Sequence, residues 1–169
     1  SDTINGNQAD NTITGNGGND TIRTLSGNDT VYDGSGNDNV DLGSGDDTII
    51  AGTGTDTYAG GTGTDHISYE NSTGGVTLNL ANQTVSGGEG TGDTISGFEN
   101  ASGSSVAADT IYGSASDNII RSLGGADWVF AGDGVDQVYG GDGDDTLFGE
   151  DGDDRIYGGK GNDNLFGQC

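Results

Sequence analysis

The chain has 169 residues, of which 36 are glycine and none is proline; 28% are hydrophobic and the formal net charge is −24. Its four basic residues, Arg23, Arg121, Arg155 and Lys160, cannot build a phosphate-binding surface, which excludes nucleic acid as a partner. No apolar run is long enough to span a membrane, no secretory signal peptide is recognisable, and the single cysteine, Cys169, excludes an internal disulfide.

Such an acidic, thinly hydrophobic composition would by itself describe a disordered chain. What argues for conditional order is a strict period of nine residues. Counted from the first residue, its sixth position falls at Asp2, Asn11, Asp20, Asp29, Asp38, Asp47, Asp56 and Asp65. Its eighth falls at Ile4, Ile13, Ile22, Val31, Val40, Ile49, Tyr58 and Ile67. The six residues up to each aspartate read as a turn, because repeated glycines reach φ > 0 at no steric cost. The next three read as a minimal strand, with the eighth position facing one way and the seventh and ninth the other. One buried side chain per repeat cannot hold a strand in place, but stacked copies bury a continuous apolar column. The turns DGSGND, LGSGDD, AGTGTD and GGTGTD between Asp33 and Asp65 are regular, whereas GNQADN lacks a glycine and ends in the neutral Asn11.

Residues 69–103 lose the period and are expected to form an irregular β connector between a first array (1–68) and a second (104–169). VTLNL alternates, which predicts a strand with Val76, Leu78 and Leu80 on one face; Ile95 and Phe98 are offered to a core. Glu70, Glu89 and Glu99 are scattered and do not form a glycosidase pair. Asp65 and Asp109 are 44 residues apart, not a multiple of nine, so one continuous roll and two abutting rolls are both compatible with the spacing.

The period resumes with sixth positions at Asp109, Asn118, Asp127, Asp136, Asp145, Asp154 and Asp163, and eighth positions at Ile111, Ile120, Val129, Val138, Leu147, Ile156 and Leu165. It is most regular from Gly140 to Phe166: GGDGDDTLF, GEDGDDRIY, GGKGNDNLF. The ninth position is aromatic at Tyr112, Phe130, Tyr139, Phe148, Tyr157 and Phe166, interrupted by Arg121, which predicts stacking within each sheet. Carboxylates crowded at matching places repel unless a cation lies between them. A hard, oxygen-preferring ion that tolerates loose geometry, calcium, suits such turns. About a dozen divalent ions would balance the chain's charge.

The unit resembles the RTX (repeat-in-toxin) nonapeptide, G-G-x-G-x-D-x-U-x with U a large hydrophobic residue. The resemblance implies an all-β parallel β-roll, a right-handed β-solenoid with two nonapeptides per coil. It also implies calcium ions, on the order of ten, between turns two repeats apart, held by aspartate carboxylates and turn carbonyls. The implied metal ligands are Asp20, Asp29, Asp38, Asp47, Asp56, Asp65, Asp109, Asp127, Asp136, Asp145, Asp154 and Asp163, with Asp2, Asn11 and Asn118 as weak ones. The expected role is that of a secreted or cell-surface bacterial module that folds on calcium after export and assists secretion. The parent activity is left open among toxin, protease, lipase, adhesin and surface-layer protein. The start inside a repeat and the stop at the beginning of another suggest a fragment, so the remaining partners are parent-protein domains outside it.

The alternative is a calcium-dependent adhesion or ice-binding module, for which Thr12, Thr30 and Thr48, ending at His66, supply a short threonine row. No enzyme is expected. His66, at an outward seventh position, reads as an exposed strand residue with no nucleophile beside it, and the GTGTD turns lack the lysine of a phosphate-binding loop.

Overall fold

Each nonapeptide makes one strand and one turn. The computed structural model describes residues 1–167; Cys169 lies outside them. The first array contributes β1 (Thr3–Asn5), β2 (Thr12–Thr14), β3 (Thr21–Arg23), β4 (Thr30–Tyr32), β5 (Asn39–Asp41), β6 (Thr48–Ile50), β7 (Thr57–Ala59) and β8 (His66–Ser68). The connector adds β9 (Thr77–Asn79), β10 (Thr84–Ser86), β11 (Thr94–Ser96) and β12 (Asn100–Ser102). The second array follows with β13 (Thr110–Ser114), β14 (Ile119–Gly124), β15 (Trp128–Asp133), β16 (Gln137–Asp142), β17 (Thr146–Asp151), β18 (Arg155–Lys160) and β19 (Asn164–Gly167).

Within each array pairing skips one strand at a time. Thr3 lies opposite Thr21, Thr12 opposite Thr30, and Val129 opposite Leu147, all parallel. Two nonapeptides therefore complete one coil of a β-solenoid of about nine turns. One face is a single eight-stranded sheet, β2-β4-β6-β8-β12-β14-β16-β18, which crosses both arrays without a break. The opposite face is divided between a five-stranded sheet, β1-β3-β5-β7-β11, and a six-stranded sheet, β10-β9-β13-β15-β17-β19.

The connector supplies the continuity. Its strand β11 pairs with β7, and β12 pairs with β8 on one side and β14 on the other. Val76, Leu78, Leu80, Ile95 and Phe98 are all buried, so its apolar residues extend the column of eighth-position side chains. That column is buried from Ile13 (9% exposed) to Leu147 (0%); Leu165, in the last described strand, is 47% exposed, with no coil among the described residues to cover it.

Strand length departs from the sequence expectation. Strands of the first array have three residues, but β14 to β18 have six, because pairing runs on into the following turn, as at Gly132–Glu150 and Gly141–Gly159. In the first array the same turn residues meet only at isolated bridges, such as Ser35–Thr53. On the outer surface the rings of Tyr112, Phe130, Phe148 and Phe166 stack at centroid distances of 5.1, 4.9 and 4.7 Å, and Arg121, Tyr139 and Tyr157 form a second ladder.

In most turns the second residue adopts a left-handed backbone, and glycine is the commonest residue there, as at Gly34 (φ 100°). A Cβ at Gly34 would run into the backbone of Asn16 one coil away, so close approach and conformation both demand glycine. Leu25 occupies the equivalent place at φ 83° while 52% exposed, with the strain and without the burial that would offset it. Leu25→Gly is expected to stabilise the calcium-loaded protein by about 1 kcal/mol, read as a rise of a few degrees in Tm.

Candidate metal centres

The sixth-position aspartates sit at the ends of the turns and form two rows along the edges of the solenoid. Turns entering β3, β5 and β7 place Asp20, Asp38 and Asp56 on one edge; those entering β4, β6 and β8 place Asp29, Asp47 and Asp65 on the other. In each row the carboxylate reaches back one coil. Asp38 Oδ1 accepts the Asp20 N–H at 2.7 Å, Asp47 Oδ1 that of Asp29 at 2.7 Å, and Asp65 Oδ1 that of Asp47 at 2.9 Å. The second array repeats this: Asp127 accepts from Asp109 at 2.8 Å, Asp145 from Asp127 at 3.0 Å, Asp154 from Asp136 at 3.0 Å, and Asp163 from Asp145 at 3.1 Å. Every one of these links spans 18 residues.

One oxygen per carboxylate is thus committed to backbone. The other is the informative one. Oδ2 of Asp20, Asp29, Asp38, Asp47, Asp65, Asp127, Asp136, Asp145 and Asp154 is buried with no hydrogen-bond partner. A buried anionic oxygen without a partner is strongly unfavourable, and at neutral pH a cation shared between coils meets the same unmet need at each of them. Carboxylate oxygens of this kind fit a hard cation such as calcium. Glycine at the first turn position leaves room for this group: a Cβ at Gly140, Gly149 or Gly158 would strike Oδ2 of the aspartate five residues later.

Other sequence-predicted ligands are placed differently. Asp109 uses both oxygens, accepting from Val76 N–H at 2.7 Å and Ser104 N–H at 2.6 Å. Asp56 accepts from Asp38 N–H at 2.7 Å, and its Oδ2 lies 3.1 Å from the Tyr58 hydroxyl. Asp163 lies in the outermost described coil and is half-buried. Asn11 turns inward to its own loop, accepting from Asn7 N–H at 2.8 Å. Asn118 accepts from Ser114 N–H at 2.7 Å and donates to the Glu99 carbonyl at 2.6 Å. Asp2 is exposed; its N–H donates to Asp20 Oδ1 at 2.6 Å.

The connector adds two carboxylates to the rows. Asp93 Oδ1 accepts the Asp56 N–H at 2.8 Å and Glu99 Oε2 accepts the Asp65 N–H at 2.8 Å, taking the places of the next sixth-position aspartates. The turn carrying Glu99 is three residues shorter than a nonapeptide turn, since Thr94 lies opposite Thr57 but Asn100 opposite His66; the longer side chain spans the gap. Asp93 was signalled by its D-T-I triplet, the one found at Asp20 and Asp109, whereas no sequence signal marked Glu99.

The expectation that His66 is an exposed residue is corrected. It is half-buried, its Nε2 lies 2.9 Å from Ser102 Oγ on neighbouring β12, and burial, reinforced by Arg121, lowers its pKa to about 4. It is a neutral structural residue of the shared sheet.

Burial, with like charges one coil away, pushes the carboxyls of Asp65, Asp127 and Asp136 up to about 6, and raises those of Asp38, Asp47 and Asp145. A carboxyl whose pKa is higher folded than unfolded binds its proton more tightly when folded. Without metal, stability is therefore lost as pH rises through about 6 and gained as it falls toward 4. With metal the trend reverses, because protons compete for the same oxygens. In excess chelator, acidification from neutral pH is expected to increase β-sheet circular dichroism; in limiting calcium it is expected to weaken calcium affinity.

These features define a parallel β-solenoid whose acidic turns are built to take cations. A family model, the RTX calcium-binding nonapeptide repeat, matches in four copies over residues 1–31, 32–67, 105–138 and 139–168, more than half of the chain. The chain belongs to that family of calcium-binding repeats. No curated protein matches it.

Proposed function

We propose that this chain is a calcium-gated folding module of a secreted bacterial protein, with arrays at 1–68 and 104–169 joined by the connector at 69–103. The observation that supports it is the set of buried, unpartnered aspartate oxygens along both edges. The aspartates Asp20, Asp29, Asp38, Asp47, Asp56, Asp65, Asp109, Asp127, Asp136, Asp145, Asp154 and Asp163 hold ions between turns 18 residues apart. Bound calcium supplies positive charge, and its binding free energy becomes folding free energy. In a calcium-poor cytosol the turns repel one another and the chain stays loose enough for export; outside, it closes into a structural domain that carries its parent protein. No catalytic role is assigned.

The test is a calcium-buffered titration followed by circular dichroism. The folding midpoint is expected in the range of extracellular calcium modules, roughly 10⁻⁴–10⁻³ M. A midpoint below about 10⁻⁶ M would overturn the export reading, because the chain would fold before leaving the cell.

A further inference from the structure

One turn departs from the others in chemistry. At its first position, where the first array otherwise carries Gly6, Gly15, Thr24, Leu42, Ala51 and Gly60, stands Asp33. Its side chain is fully buried. A lone carboxylate buried there is strongly unfavourable, yet the surroundings are arranged to receive it. Tyr58 is the one aromatic residue among the eighth positions of the first array, and its hydroxyl donates to Asp33 Oδ2 at 2.5 Å while lying 3.1 Å from Asp56 Oδ2. Carboxylate oxygens of Asp33, Asp38 and Asp56 lie within 4.8 Å of one another. Two of these groups carry an oxygen with no partner, Oδ1 of Asp33 at 0% exposure and Oδ2 of Asp38 at 3%.

We propose that Asp33 is a third carboxylate ligand to a single hard cation held together with Asp38 and Asp56, and that Tyr58 orients two of the three. This inference rests on the reading that cations lie between turns 18 residues apart; it adds a site of different charge. An ordinary pair of sixth-position aspartates offers two negative charges, and this one offers three. Oxygen-ligand sites gain affinity with the number of charged ligands, so it is the tightest site of the chain and the one best matched to a trivalent ion.

Terbium(III), a trivalent ion with oxygen preference, is the probe. Bound beside a phenol it emits after ultraviolet excitation of that ring, which makes Tyr58 the reporter. The full chain in millimolar calcium is titrated with terbium(III). The first equivalent is expected to give sensitised emission that Tyr58→Phe weakens and that Tyr58→Phe combined with Tyr69→Phe abolishes, since the Tyr69 hydroxyl, bonded to Asp93 Oδ2 next to Asp56, is the second phenol near the site. Asp33→Ser, which installs the residue that Ser122 already places at an equivalent turn position, is expected to weaken uptake of that equivalent by about ten-fold or more. First-equivalent emission that survives the double substitution would place the tightest ion elsewhere and overturn the proposal. So would an Asp33→Ser chain that keeps its calcium-induced β-sheet and its first-equivalent affinity within about two-fold. A wild-type chain that takes up neither calcium nor terbium would refute instead the underlying reading of the edges.

Discussion

Excess chelator at neutral pH will convert the circular dichroism of this protein from β-sheet to coil, and restoring millimolar calcium will return it. The effect is expected to be complete because metal-free folding has to bury nine or more aspartate oxygens with no partner, in a chain of net charge −24 whose hydrophobic content is 28%. The apolar column contributes one side chain per repeat, too little to offset that electrostatic cost alone. Magnesium at the same concentration is expected to rescue poorly, since it demands near-ideal octahedral geometry and holds its waters. A β-sheet spectrum that persists in chelator at neutral pH would show that the column suffices by itself.

Asp145→Ala will destabilise the calcium-loaded protein about twice as much as Asp163→Ala. Asp145 stands in the middle of its row: its Oδ1 accepts from Asp127 and its own N–H donates to Asp163, so it borders two cation positions. Asp163 borders one. Each site lost leaves a buried carboxylate without its counter-charge, a loss of about 3–5 kcal/mol when one partner of a buried pair is removed. Damage is expected to travel along that edge before crossing to the other, because Asp136 and Asp154 belong to a separate row. Tm and calcium stoichiometry of the two variants measure this; equal losses would contradict it.

The features that were legible in the sequence are those a period can carry. The aspartates at sixth positions, the buried side chains at eighth positions and the stacked aromatics at ninth positions follow from counting, and the resemblance supplied the coil of two repeats. Where the period breaks, counting fails. Asp93 and Glu99 stand 37 and 34 residues after the aspartates they follow, offsets set by how the connector folds. His66 looked outward because a seventh position normally does; β12 on its flank, together with Ser102, covers it. Asp33 read as one more acidic residue in an acidic chain. Its meaning depends on Tyr58, which sits 25 residues away in sequence and shares its buried edge.

The central claim is that cations join turns 18 residues apart, and long-wavelength anomalous diffraction from crystals grown in calcium tests it most directly. The account predicts calcium peaks in two rows along the solenoid edges, each between sixth-position aspartates such as Asp127 and Asp145, or Asp29 and Asp47, with weaker density beside Asn11 and Asn118. Peaks lying between turns nine residues apart, or edges without calcium in a folded protein, would contradict it.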